Sequence, residues 1–179
     1  MKSNAPNRRE FLHNASLLGG MAFLPSSFKD ATTSFAPALP ERIIAPRIKF
    51  GVIGINHAHI YSMSSSIIKG GGEMVAFYAK EADLAKDFAA KFPGVKQAAS
   101  ENEILEDSSI QLILSSIIPV ERAPLGIRAM QHGKDYMVDK PGITSLAQLA
   151  EVRKVQKATK RIYSISYSER FENKATEKA

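Results

Sequence analysis

From residue 48 onward, short apolar runs alternate with stretches in which apolar side chains return at helical spacing, the arrangement of a parallel sheet covered by helices. The run at 48–53 is apolar at nearly every position and predicts a strand buried on both faces. Ile60, Met63 and Ile67 then fall along one side of a helix that Gly70, Gly71 and Gly72 end. Residues 74–78 read as a second strand, and Leu84, Phe88 and Phe92 recur every fourth residue along an amphipathic helix closed by Pro93 and Gly94. A short third strand is expected at 95–98. Ser100 with Glu103, and Ser145 with Gln148, form capping boxes, in which the hydroxyl accepts an orphan amide and the longer side chain reaches back. The first opens a brief helix; the second opens a helix expected to bury Leu146, Leu149, Val152 and Val155. Residues 110–117 are the most apolar strand, 125–131 a helix with Gly133 as its stop, 136–138 a fifth strand and 161–166 an alternating sixth. The fold class is therefore α/β, a Rossmann-type doubly wound parallel sheet.

The first 47 residues do not share this pattern. Paired Arg8 and Arg9 precede Phe11 and Leu12, and an apolar run at 15–24, interrupted by Gly19 and Gly20, follows at once. A charged segment ahead of so short an apolar run is a signal, since a membrane-crossing helix needs roughly 20 apolar residues. Residues 1–36 are expected to be a twin-arginine signal that sends the folded protein to the periplasm, and 37–47, with Pro37, Pro40 and Pro46, a linker. No stable membrane span is expected. These 47 residues carry half of the net charge of +6, and no run of clustered lysine and arginine interleaved with aromatics appears, which argues against a nucleic-acid partner. Cysteine is absent, so thiol catalysis, a cysteine-ligated zinc and disulfides are excluded.

Candidate chemistry gathers where strands end. The turn after the first strand reads Gly54-Ile55-Asn56-His57-Ala58-His59. In a dinucleotide site the first glycine permits the tight turn, the second lets backbone approach the pyrophosphate, and the third lets helix and strand pack closely. Gly54 fits, whereas Asn56 and His59 stand where the second and third glycines belong. Asparagine tolerates a left-handed backbone, and the amides of a helix N-terminus still face a phosphate, so Gly54, Asn56 and His57 are assigned to the cofactor. His57 and His59 could share a metal, but no third ligand is identifiable at ligand spacing, and none is expected. After the second strand, Lys80 suits the 2′-phosphate of NADP while Glu81 suits the ribose of NAD, and both remain open. Pro119, just past the fourth strand, is placed with the cofactor contacts. Asp139-Lys140-Pro141 sets a lysine directly after a buried strand and ahead of a proline turn, at the strand end where doubly wound folds keep their ligands.

These motifs together resemble the Gfo/Idh/MocA family of NAD(P)-dependent sugar, cyclitol and related oxidoreductases. In that family a helix ends in Gly-Lys, here Gly133-Lys134, and Glu-Lys-Pro follows the fifth strand, here Asp139-Lys140-Pro141. The resemblance implies that Lys140 is catalytic, beside the nicotinamide and the reacting hydroxyl, with Asp139 among the cofactor contacts. Arg122 stands about where many members carry a histidine, and Arg170-Phe171 resembles the segment that leads out of the nucleotide domain, which would span 48–171. Members continue into an α/β domain with a large, mostly antiparallel sheet, absent from this chain; residues 172–179 would be a tail or its start. The expectation is an NAD- or NADP-dependent oxidoreductase of a sugar, cyclitol or related hydroxy compound. The nucleotide half alone is expected to be inactive, and the full-length protein a homo-oligomer. A non-catalytic nucleotide- or sugar-binding module is the second reading, favoured by the altered glycine motif.

Overall fold

A computed structural model describes residues 46–168. The predicted signal, most of the linker and the segment from 169 onward lie outside these residues. Strands β1 (Ile48–Ile53), β2 (Gly72–Tyr78), β3 (Lys96–Gln97), β4 (Leu112–Ser115), β5 (Asp135–Asp139) and β6 (Tyr163–Ser166) alternate with helices α1 (His59–Lys69), α2 (Ala82–Lys91), α3 (Glu101–Glu106), α4 (Pro119–Gln131) and α5 (Leu146–Thr159). All strands pair in parallel, in the order β3-β2-β1-β4-β5-β6. The chain winds outward from β1 to β3, crosses back to β4 beside β1, and winds the other way. That reversal opens a crevice between the C-terminal ends of β1 and β4, where such sheets bind ligands. Among the described residues no helix is long and apolar enough to cross a membrane.

Strand periodicity builds the two halves of the core. On β1, Phe50 and Val52 face a layer with Ile60, Phe77 and Phe88, while Ile53 faces the opposite layer with Ile104, Leu125 and Tyr136. Successive side chains of a strand point to opposite faces, so a strand covered on both sides must be apolar throughout. Phe50, Phe77 and Phe88 are completely buried, each contributing about 1.5–3 kcal/mol by removal from water.

Both capping boxes form. Ser100 Oγ accepts the Glu103 amide at 3.3 Å and Glu103 accepts the Ala99 amide at 2.7 Å. Ser145 Oγ accepts the Gln148 amide at 3.1 Å, and Gln148 Oε1 accepts the Thr144 amide at 2.9 Å. Several boundaries differ from expectation. The β4 ladder covers only Leu112–Ser115, with Ile110 and Ile117 buried beyond its ends. Helix α4 starts at Pro119 rather than at residue 125, because proline at the first helical position lacks only an amide that would be unpaired there anyway. Pro124 lies within α4 and offers no N–H to the Val120 carbonyl four residues back; Gln148 Nε2 donates to that carbonyl instead, at 3.1 Å. Leu146 is 83% exposed rather than buried. A helix turns about 100° per residue, so apolar residues spaced by threes drift around it and Leu146 ends on the side opposite Val155.

Gly133 does stop α4. It has φ +74°, its N–H donates to the Met130 carbonyl, and the next amide, of Lys134, donates to Ala129, a Schellman closure. The Lys134 side chain is 2% exposed and its ammonium donates to the carbonyls of Asp107 at 2.6 Å and Ile110 at 2.8 Å. Burial pushes its pKa below that of an ordinary lysine. Lys134 thus ties the loop entering β4 to the start of β5, at the sheet end opposite the crevice.

Candidate functional site

The loops leaving β1, β2, β4 and β5 meet at the C-terminal edge of the sheet. Gly54, with φ +75°, threads between two of them: its N–H donates to Tyr78 O at 2.9 Å and its carbonyl accepts the Ser116 amide at 3.0 Å. A Cβ at this position would lie 2.6 Å from Ile117 Cβ, so both the conformation and the close approach require glycine. Ser116 locks the same turn by accepting the His57 amide at 3.2 Å and donating its hydroxyl to the His57 carbonyl at 2.9 Å. Ala58 gives α1 no side-chain cap and the His59 amide faces His57 Nδ1 at 3.5 Å, at a helix N-terminus of the type that receives phosphate.

Asn56 does not use the left-handed backbone that its glycine-like position suggested: among the described residues Lys160 alone among non-glycines has positive φ. Its side chain acts instead, Nδ2 donating to Glu81 Oε1 at 2.9 Å. Gly54, Asn56, Lys80, Glu81, Glu101 and Glu121 line a small cavity of about 70 Å³. Lys80 Nζ lies 4.0 Å from Glu121, and Arg128 pairs with Glu101 at 2.7 Å. Lys80 is thus paired with Glu121 alone, Glu101 is neutralised by Arg128, and Glu81 meets Asn56. Pro119 is the first residue of α4.

The other half of the site is organised by Asp139, 2% exposed at the end of β5. Oδ1 faces His59 Nδ1 at 2.9 Å and accepts the Lys140 amide at 2.8 Å. Oδ2 faces His57 Nδ1 at 3.1 Å and Arg122 Nη2 at 3.4 Å. Buried Arg122 also donates Nε to Ile117 O at 2.6 Å and Nη1 to the carbonyls of Asp139 at 3.0 Å and Pro141 at 3.2 Å. One carboxylate thus joins the turns after β1, β4 and β5, and every oxygen lone pair that faces protein has a donor. The Lys140–Pro141 peptide is cis, the Lys140 side chain is exposed, and Tyr163 Oη donates to Gly142 O at 2.6 Å, pinning this turn to β6.

The expectation that His57 and His59 lack a third ligand partner is corrected here. Their ligand atoms and those of Asp139 lie within 4.8 Å of one another. The Arg122 guanidinium already neutralises Asp139, and each imidazole faces its own carboxylate oxygen, so the cluster reads as a hydrogen-bonded hub and not as a cation cage. Ser116 was not singled out from sequence, and His59 and Arg122 were noted there without being placed in the site. A buried aspartate demands a cation, and an arginine near the start of the helix that follows β4 was the available signal.

Residues 48–167 match the family model described as the oxidoreductase family with NAD-binding Rossmann fold, GFO_IDH_MocA. The uncharacterized oxidoreductase YdgJ of Escherichia coli (strain K12) is 25% identical over 132 residues, 73% of this chain and 37% of that protein. The crystal structure of an Erwinia carotovora atroseptica protein described as an oxidoreductase aligns with a TM-score of 0.71 at 35% identity, over 73% of this chain and 39% of that one. Biliverdin reductase from Synechocystis, solved with biliverdin and NADP+, shares the fold at a TM-score of 0.62 and 18% identity, over 69% and 39% of the two chains. The chain spans 37–39% of the length of these relatives.

Proposed function

Because this chain belongs to the Gfo/Idh/MocA oxidoreductase family, we propose that it is the nucleotide-binding half of an enzyme oxidising a hydroxyl of a sugar, cyclitol or related small molecule, with NAD preferred over NADP. One observation carries the reading. Gly54 brings bare backbone into the β1–β4 crevice, where a Cβ would collide, beside a hub that fixes the turn bearing Lys140.

The residues present fit a dinucleotide. Gly54 and the start of α1 provide the surface for a pyrophosphate. Glu81, oriented by Asn56, offers a carboxylate for ribose hydroxyls, although it comes two residues later than the position such an acid usually takes. Three carboxylates, Glu81, Glu101 and Glu121, against two cations, Lys80 and Arg128, leave this cavity net negative and oppose a 2′-phosphate, which supports NAD. The nicotinamide, when bound, supplies the hydride acceptor. Lys140, held in position through its own amide on Asp139, orients the substrate hydroxyl. We further propose that residues 48–171 form the nucleotide domain, and that residues 1–36 direct export to the periplasm by the twin-arginine route.

Titration of the purified chain with NAD and with NADP, followed by thermal melting, tests the reading. Ligand at a hundredfold excess over its Kd adds about 2.7 kcal/mol of stability, so NAD is expected to raise the melting temperature more than NADP at equal concentration. No shift with either dinucleotide would sink the proposal.

A further inference from the structure

We propose that His57, its Nδ1–H held on the buried carboxylate of Asp139, is a proton acceptor of this cleft, a role separate from that of Lys140. The inference rests on the oxidoreductase reading above. Oxidising a hydroxyl releases a proton as well as a hydride. An ordinary lysine is already an ammonium at neutral pH and has no free pair to accept it, whereas an ordinary imidazole does. His57 has the required geometry. Its ring is half exposed, with 51% of the side chain accessible, and Nδ1 lies 3.1 Å from Asp139 Oδ2. The carboxylate lies nearer to Nδ1, at 3.1 Å, than the His59 amide that faces the same nitrogen at 3.5 Å, so the neutral ring places its proton on Nδ1 and leaves the Nε2 lone pair unprotonated. Asp139 cannot itself serve: it is buried and its oxygens are occupied by His59, Arg122 and the Lys140 amide.

The charged and titratable groups facing His57 are Asp139 at the end of β5 and His59 at the start of α1, its ring centroid 4.3 Å away at 79°; Arg122 on α4 meets the same carboxylate, and Lys140 follows it in sequence. In the step, the substrate O–H bond breaks and its proton passes to His57 Nε2. The released pair forms the C=O bond as the C–H pair leaves as hydride to NAD+. The substrate loses two electrons, NAD+ gains two, and the imidazolium rests against Asp139, which stays ionised.

The test needs no substrate. The nicotinamide of NAD+ is cationic and that of NADH is neutral, so an imidazole beside it must lose protons when NAD+ binds and less so when NADH binds. Isothermal titration of the full chain with each dinucleotide, between about pH 5.5 and 7.5 in buffers of different ionisation enthalpy, measures that release directly. The expected result is a proton release with NAD+ exceeding that with NADH, lost in His57→Gln and retained in His59→Gln. Glutamine can still donate to Asp139 but does not titrate, and a melting curve verifies that each variant folds. Equal release with both dinucleotides, or release unchanged by His57→Gln, overturns the inference. Release lost in His59→Gln and kept in His57→Gln overturns it also, by assigning the role to the other ring. Absence of NAD+ and NADH binding overturns instead the oxidoreductase reading beneath it.

Discussion

Asp139 makes bonds that no local pattern announces. His59 is 80 positions away and Arg122 is 17, so the hub exists only once β1, β4 and β5 lie side by side. What was legible was the pair of histidines and the Asp-Lys-Pro turn, each as a separate motif; their common carboxylate was not. Removing one partner from a buried ion pair strands the other, at about 3–5 kcal/mol. Arg122→Met is therefore expected to lower stability on that scale, read as the shift in a urea midpoint, and Arg122→Lys to recover little, because an ammonium cannot reach four acceptors in a fixed fork. At the other half of the site, Glu81→Ala is expected to weaken NAD by about tenfold, near 1.4 kcal/mol, through loss of a carboxylate partner. Lys80→Ala should leave NAD unchanged within about twofold. A Lys80→Ala loss confined to NADP, with NADP the tighter ligand, would reverse the cofactor preference.

Helix starts marked by a capping box were legible in the sequence where strand lengths and the start of α4 were not, and the reason is chemical. A capping box is a short-range exchange of hydrogen bonds between residues three or four apart, so Ser100 with Glu103 and Ser145 with Gln148 carry their whole cause locally. The ladder of β4 depends on its neighbours, and an apolar run does not say where pairing stops. Pro124 within α4 shows the same dependence: its compensation by Gln148 comes from another helix. Glu103 provides a pH test of the first box. Its pKa is held below the usual carboxylate value, chiefly by the Lys96 side chain and then by the Ala99 amide. A depressed folded-state pKa gives stability that is present above the unfolded-state value and lost as pH falls through the folded-state one. Glu103→Gln should therefore narrow the stability difference between pH 7 and about pH 3, measured by denaturant melts. An unchanged difference would remove Glu103 from the acid response.

At the scale of the molecule, the alternation of apolar runs and amphipathic helices was enough to read the doubly wound class, because each β-strand buried on both faces requires helices on both sides. Strand order appears only in the fold. The export proposal also belongs here, since a twin-arginine route carries a whole folded body. Replacing Arg8 and Arg9 together by lysine is expected to leave the protein folded in the cytoplasm and absent from the periplasmic fraction; unaltered export in a fractionation experiment would reject the signal.

The reach of Asp139 across the chain also sets an order of events in time. Every neighbouring pair in the sheet is parallel, so no hairpin can form early and each pairing closes a long loop, the slow kind of contact to make. The turn at His57 leaves the ribosome some 80 residues before the carboxylate that steadies it, an interval of several seconds at about 5–20 residues per second. A nascent chain therefore holds the first half of its nucleotide cradle without the second. Competence to capture a dinucleotide should switch on abruptly when β5 docks, which would make the cofactor a reporter of the last stage of folding and not a template for its beginning.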